Sequence, residues 1–205
     1  MAIKIASGFL LLLLLSYLVG FFLPQTYEVS RSVVIAAPRA EIHAALENVS
    51  TWKEWSAFVP SGESAQMVTS KYEGPEAGVG AIWIWGQDLE KSPARLEVVT
   101  SDANWGISYV LTLDKGRIAS EGDILMVEDE NGIQVTFENR GEMATPWRRY
   151  FSFIADKAVG PALAQSLDGL KARLEGTAAV QEPTPSETQE SETPAPDAQP
   201  VGAGQ

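Results

Sequence analysis

The sequence predicts an α+β fold in which a curved antiparallel sheet wraps around one long C-terminal helix, preceded by a single transmembrane helix. Three observations carry that prediction: an uncharged apolar run at residues 5–23, turn-separated strand patterns from residue 67 to residue 140, and an apolar stripe at helical spacing from residue 159 to residue 174. The last two belong together physically. A half-apolar sheet and an amphipathic helix each leave a face that is costly in water, and each covers the other.

The first run, IASGFLLLLLLSYLVGFFL, holds nineteen residues without a charge. Such a run makes roughly 28 Å of helix at about 1.5 Å per residue, close to the ~30 Å hydrocarbon core of a bilayer. Its exit, FFLPQTYE, offers large residues where signal-peptide cleavage needs small ones, so residues 1–24 read as a retained membrane anchor. Lys4 precedes the span and Arg31 and Arg39 follow it, so the positive-inside rule gives no majority. A short N-terminus before a signal anchor ordinarily stays in the cytoplasm, which places the body outside it.

The body is expected over residues 25–176, and its elements follow in order. YEVSRSVVIA (27–36) alternates and is rich in β-branched residues, as a strand requires. Pro38 then opens a helix on which Ile42, Leu46 and Val49 share a face. STWKEWSAF follows as a second short element, with Ser50 offering a cap. Six strand patterns come next: 67–73, 79–86, 94–101, 105–113, 117–129 with a break at Gly122, and 132–140. Asn131 and Gly132 read as a type I′ hairpin turn, and the short connections throughout make a meander. Val159, Leu163, Leu167, Leu170 and Leu174 form the closing helical stripe, with Gly160 and Pro161 near its start and Gly176 as a stop. From residue 177 the chain turns rich in Pro, Glu, Ser and Thr and lacks aromatic residues, so 177–205 is expected to be a disordered acidic tail.

Composition narrows the chemistry. The 205 residues include no Cys and one His, which excludes disulfide scaffolds, Cys nucleophiles and zinc sites built on Cys pairs or several His. Of 15 basic and 27 acidic residues, the anchor holds one base and the tail five acids, leaving 14 and 22 in the body. A surplus of acid argues against nucleic acid as a partner, because phosphate binding rests on Lys and Arg. Neither G-x-S-x-G, a P-loop nor a dinucleotide fingerprint occurs, and Glu128, Asp129 and Glu130 lack the alternating spacing of a calcium loop.

With the elements placed, three blocks resemble the helix-grip (SRPBCC) superfamily, which includes START lipid-transfer domains, and within it the polyketide cyclase/dehydrase-like branch. They are VSRSVVIAAPRAEIHAALENVSTWKEWSAF, KYEGPEAGVGAIWIWG and KAVGPALAQSLDGLKARLE, in the family's order over about residues 27–175. The resemblance implies a cavity between sheet and long helix that takes an apolar ligand. It does not imply catalysis, since fold and chemistry are separable. Most such domains are soluble, and a membrane span in front of one points to membrane-derived ligands.

Ligand-cavity candidates on that basis are Trp55, Trp83, Trp85, Tyr109 and Phe137. Trp83 and Trp85 share one strand face with Ile82 and Ile84 on the other, although alternation does not say which face is inward. Trp105 and Tyr109 are four apart on another strand, and a phenol can hydrogen-bond a polar head inside an apolar cavity. Arg148 and Arg149, beside Trp147 and Tyr150, can meet an anionic headgroup or stay solvated. His43 reads as a half-packed surface residue with no carboxylate assigned to orient it. Asn48, Val49 and Ser50 form a glycosylation sequon.

The expected function is a membrane-anchored, non-catalytic binding or carrier domain for a hydrophobic small molecule or lipid, with no catalytic residue, metal or cofactor assigned. Two alternatives stand beside it. One is a cyclase- or hydrolase-like enzyme using Tyr109, and the other an interaction module working through the acidic tail or the sheet surface.

Overall fold

The computed structural model describes residues 2–59 and 67–181, and the side chains of residues 2–7, 9 and 177–181 lie outside that description, as does the expected tail from residue 182 onward. Helix α1 spans Ala2–Gly20 and is followed by β1, Thr26–Ile35. Helix α2 (Arg39–Glu47), a 3-10 turn at Val49–Thr51 and the short α3 (Trp52–Trp55) carry the chain across one end of the molecule. Six strands then run consecutively: β2 Thr69–Glu73, β3 Ile82–Gly86, β4 Ala94–Asp102, β5 Gly106–Leu113, β6 Ile118–Asp129 and β7 Gly132–Glu142. The short α4, Pro146–Arg149, leads through a 3-10 turn at Tyr150–Phe153 into α5, Ala155–Gln181.

The strands form one antiparallel sheet in the order β1-β7-β6-β5-β4-β3-β2. The meander puts β2 to β7 in sequence, and β1 closes the far edge by pairing with β7 from Thr26↔Glu142 to Ile35↔Ile133. A bulge between Val98 and Thr100 adds curvature. Alternation now has a direction: Ile133, Val135, Phe137 and Asn139 of β7 are buried on the concave face, as are Trp83 and Trp85 of β3. Leu163, Leu167, Leu170 and Leu174 of α5 are buried against that face, which makes an α+β helix-grip architecture. Two contacts pin α5 to the β1 edge. Lys171 Nζ donates to the Val34 carbonyl at 2.7 Å, and the Glu175 carboxylate accepts from the Ala36 amide at 2.9 Å.

Several local expectations change. Strand β6 runs through Gly122 without a break, because the Tyr109 ring of β5 lies over that glycine and a Cβ there would collide with Tyr109 and with the Glu138 carbonyl. The type I′ turn falls at Asp114 and Lys115, with φ 49° and 57°, rather than at Asn131 and Gly132. Asn131 instead donates its amide to the Asp129 carboxylate at 2.9 Å, an Asx turn that needs no left-handed residue. Gly132, at φ 143°, lets the backbone of Ile35 approach. Asn48 rather than Ser50 caps the 3-10 turn, its carboxamide accepting from the Ser50 amide at 3.0 Å, so the sequon side chain is engaged in capping. Trp105 precedes β5 and is exposed while Tyr109 is buried, so the two do not share a face.

Gly160 and Pro161 lie inside α5 rather than at its start, and the helix passes Gly176 to reach Gln181. A single glycine costs about 1 kcal/mol in a helix interior, little enough for flanking Ala, Arg, Leu and Glu to carry the helix through it.

Among the described residues no helix is long and apolar enough to cross a membrane. The side chains of α1 enter that description only at residues 8 and 10–20. The C-terminal end of α1 is docked on α4. The Arg149 guanidinium donates to the Phe21 carbonyl at 2.9 Å, the Tyr150 hydroxyl donates to the Ser16 carbonyl at 2.6 Å, and the Tyr17 and Trp147 rings lie 5.9 Å apart. Gly20 faces Pro146 so closely that a Cβ would collide with it.

Candidate functional site

Along α5 the residues facing the sheet change in size. Leu163, Leu167, Leu170 and Leu174 reach the concave face, but beside Leu163 and one turn earlier the groove-facing residues are Ala162, Val159 and Ala158. Small side chains there cannot fill the gap to Leu111, Leu113 and Ile118 on the strands opposite. What remains is an apolar groove of about 510 Å³, closed on the core side by buried Leu163 and by Phe58, whose ring stacks with that of Trp85, and lined on the solvent side by exposed Arg148, with Met143 and Phe151 also in its wall. That volume lies within the ~300–1,000 Å³ usual for small-molecule sites.

The floor of the groove carries three polar side chains, Tyr27, Ser120 and Asn139, which form one network with Tyr109. The Tyr27 hydroxyl donates to Asn139 Oδ1 at 2.9 Å, and Asn139 Nδ2 donates to the Tyr109 hydroxyl at 3.0 Å and to Ser120 Oγ at 3.2 Å. Tyr109 in turn donates to the Glu138 carbonyl at 2.9 Å. The β6–β7 ladder is interrupted there, between the Glu121/Arg140 and Ile124/Phe137 pairs, and the phenol replaces the missing strand partner. Burial pushes the Tyr109 phenol well above its ordinary range and raises that of Tyr27 more modestly, with the hydrogen bond from Ser120 and the charge of Arg148 opposing the rise at Tyr27. Both phenols are therefore neutral donors at physiological pH.

Two neighbouring arginines at the mouth have different environments. Arg149 is buried and bonded to the carbonyls of Phe21 and Met143, with its guanidinium 5.9 Å from the Phe21 ring centre. Arg148 is exposed and lines the groove, and its guanidinium makes no hydrogen bond or ion pair among the described residues.

Trp55, Trp83, Trp85, Tyr109 and Phe137 do come together, in an aromatic core beyond the closed end of the groove. The Trp83 and Trp85 rings stack at 4.0 Å, Trp52 lies 4.8 Å from Trp55 and 6.2 Å from Tyr109, and Tyr109 meets Phe137 edge-on at 5.7 Å. None of the five lines the groove, whose aromatic lining is Tyr27, Phe58 and Phe151. Tyr109 reaches it only through Asn139. The signal that would have found the floor was Asn139 itself: a carboxamide at the fourth inward position after Ile133, Val135 and Phe137 has to find partners.

His43 also differs from its sequence reading. It is mostly buried, with Nε2 3.1 Å from Ser101 Oγ and Nδ1 3.8 Å from the carboxylate of Glu47, which also accepts from Ser101 at 3.2 Å. Glu47, one helical turn on, supplies the carboxylate that sequence reasoning left unassigned. Ser101 thus bridges the imidazole and the Glu47 carboxylate, and the trio fastens α2 to β4. Among the described residues no group of three or more His, Asp or Glu side chains is arranged to hold a metal ion. A second depression, about 440 Å³, is lined by residues of β1, β5, β6 and β7 and shares Tyr27 and Ser120 with the groove. There Arg140 pairs with Asp123 at 2.8 Å, and charged side chains dominate its edge.

Solved structures support the same architecture. The KanY protein, solved in solution, superposes with a TM-score of 0.54 at 16% identity over 75% of this chain and 99% of its own. A Thermobifida fusca protein gives 0.51 at 18% identity, covering 72% and 95%, and an uncharacterised Rhizobium leguminosarum protein gives 0.51 at 16%, covering 74% and 96%. At such identities the likeness shows the fold alone. No curated protein matches the chain in sequence. Residues 26–175, the whole span from β1 to the last described side chains of α5, match the profile described as polyketide cyclase / dehydrase and lipid transport, and the chain belongs to that family.

Proposed function

We propose that the protein is a binding or carrier domain for a hydrophobic small molecule or lipid, held at a membrane by its N-terminal helix and acting by binding rather than covalent chemistry. The observation that carries this reading is the apolar groove between α5 and the sheet, about 510 Å³, opening beside the segment on which α1 is docked. Family membership supports it at the level of hydrophobic ligands. The polar groups on the floor are hydrogen-bonded to one another. The anchor reading rests on the uncharged run at residues 5–23, and the short N-terminus in front of it favours a body outside the cytoplasm.

The test is to purify the full chain, extract it with organic solvent and identify bound molecules by mass spectrometry, alongside displacement of a neutral environment-sensitive dye. A co-purifying apolar compound that displaces the dye at a single site is expected. An empty protein from which no apolar compound displaces the dye would sink the proposal.

A further inference from the structure

We infer that the ligand is a long-chain carboxylic acid that enters tail-first, its apolar chain in the groove and its single negative charge on Arg148. The inference rests on the ligand-binding reading above and adds the chemical class and the orientation.

The sequence has eight arginines, and seven of them have partners. Arg31 pairs with Asp156, Arg39 with Glu128, Arg95 with Glu97, Arg117 with Asp114, Arg140 with Asp123 and Arg173 with Glu54, while Arg149 binds two carbonyls. In a protein with 27 acidic residues a guanidinium rarely lacks a carboxylate neighbour, yet that of Arg148 has neither an ion pair nor a hydrogen bond among the described residues. Among the described residues it is also the only charged side chain lining the groove. Its position is fixed from behind, because buried Arg149 ties α4 to the end of α1 and to Met143, leaving the adjacent residue to face the opening.

Polarity along the groove sets the direction of entry. Each floor hydroxyl and the Asn139 amide already has a partner in the Tyr27–Asn139–Tyr109 network, so a polar head driven inward would lose hydration without gaining a free donor. At the mouth, a planar guanidinium with unused donors matches a carboxylate bidentately. One unpaired cation also matches a singly charged head better than a doubly charged phosphate monoester. Trp147, Phe153 and Ile154 are exposed around the same segment, apolar surface of the kind that accommodates the chain of an amphiphile arriving from a membrane.

The test uses the full chain in nanodiscs of zwitterionic lipid, incubated with radiolabelled dodecanoic acid or 1-dodecanol, with counts in matched empty nanodiscs subtracted. The acid is expected to bind at least about 10-fold more tightly than the alcohol, Arg148→Gln to remove that preference, and Arg148→Lys to retain part of it. Ala162→Phe, which fills the groove, should abolish binding of both compounds and so separate groove occupancy from charge at the bilayer surface. Equal binding of acid and alcohol, or an acid preference that survives Arg148→Gln, overturns the inference and leaves the ligand-binding reading standing. Failure of both compounds to bind, together with an empty solvent extract, overturns the reading beneath it.

Discussion

Tyr109 ties several parts of the sheet together without lining the groove. Its ring covers Gly122, its hydroxyl replaces a strand partner at the Glu138 carbonyl, and its oxygen receives Asn139. Replacing Tyr109 by Phe leaves a buried carbonyl and a buried amide short of a partner, a loss of about 1–3 kcal/mol that denaturant titration can read. Ligand affinity should change less than about twofold, within the scatter expected when no bound group is removed. Loss of binding or of a turnover with stability intact would instead place the phenol in contact with ligand. The same residue gives stability an alkaline limit. Its folded pKa lies above the unfolded value of 10.0, so its stabilising effect is complete below pH 10. It is lost as pH rises from there towards the folded value, because the unfolded chain releases the proton first. Tyr109→Phe should flatten that alkaline decline.

At the scale of elements, the apolar stripe of α5 was legible because 3.6-residue periodicity states which side chains face the sheet. Periodicity does not state how far away the sheet lies. The groove exists because Ala158 and Ala162 are short where they face Leu111, Leu113 and Ile118, a fact about distance between elements that no single-chain pattern records. The same gap explains why the aromatic candidates pack in the core and do not line the groove: large rings fill space, and the cavity lies where they are absent. Gly122 was misleading for a related reason, since its meaning lay in a ring on the neighbouring strand. Ala162→Phe follows as the element-scale prediction. It should reduce ligand affinity at least about tenfold while shifting stability by less than ~1 kcal/mol, because the new ring enters empty space rather than a packed core. A variant that still takes ligand as before would show that the binding site lies elsewhere.

For the molecule as a whole, the notable joint is between the N-terminal helix and the grip domain. Here α1 meets α4 with no room for a side chain at Gly20, the buried Arg149 on the Phe21 carbonyl just past the helix end and Tyr150 on the Ser16 carbonyl. Gly20→Leu should force the two apart. In hydrogen exchange the amides of residues 143–153 should then lose protection, while those of β3 and β4 stay as they were. Unchanged exchange at 143–153 would mean that the contact contributes nothing to order there. None of this joint was visible in the sequence, where Arg148 and Arg149 look alike and Gly20 is one more small residue in an apolar run.

The docked α4 has a mechanical consequence. The segment that holds the end of α1 also frames the groove, since Met143, Arg148 and Phe151 line its mouth while Arg149 and Tyr150 hold the helix. One short segment therefore serves both contacts, so a displacement of α1 is passed to the rim of the groove through the residues that hold it.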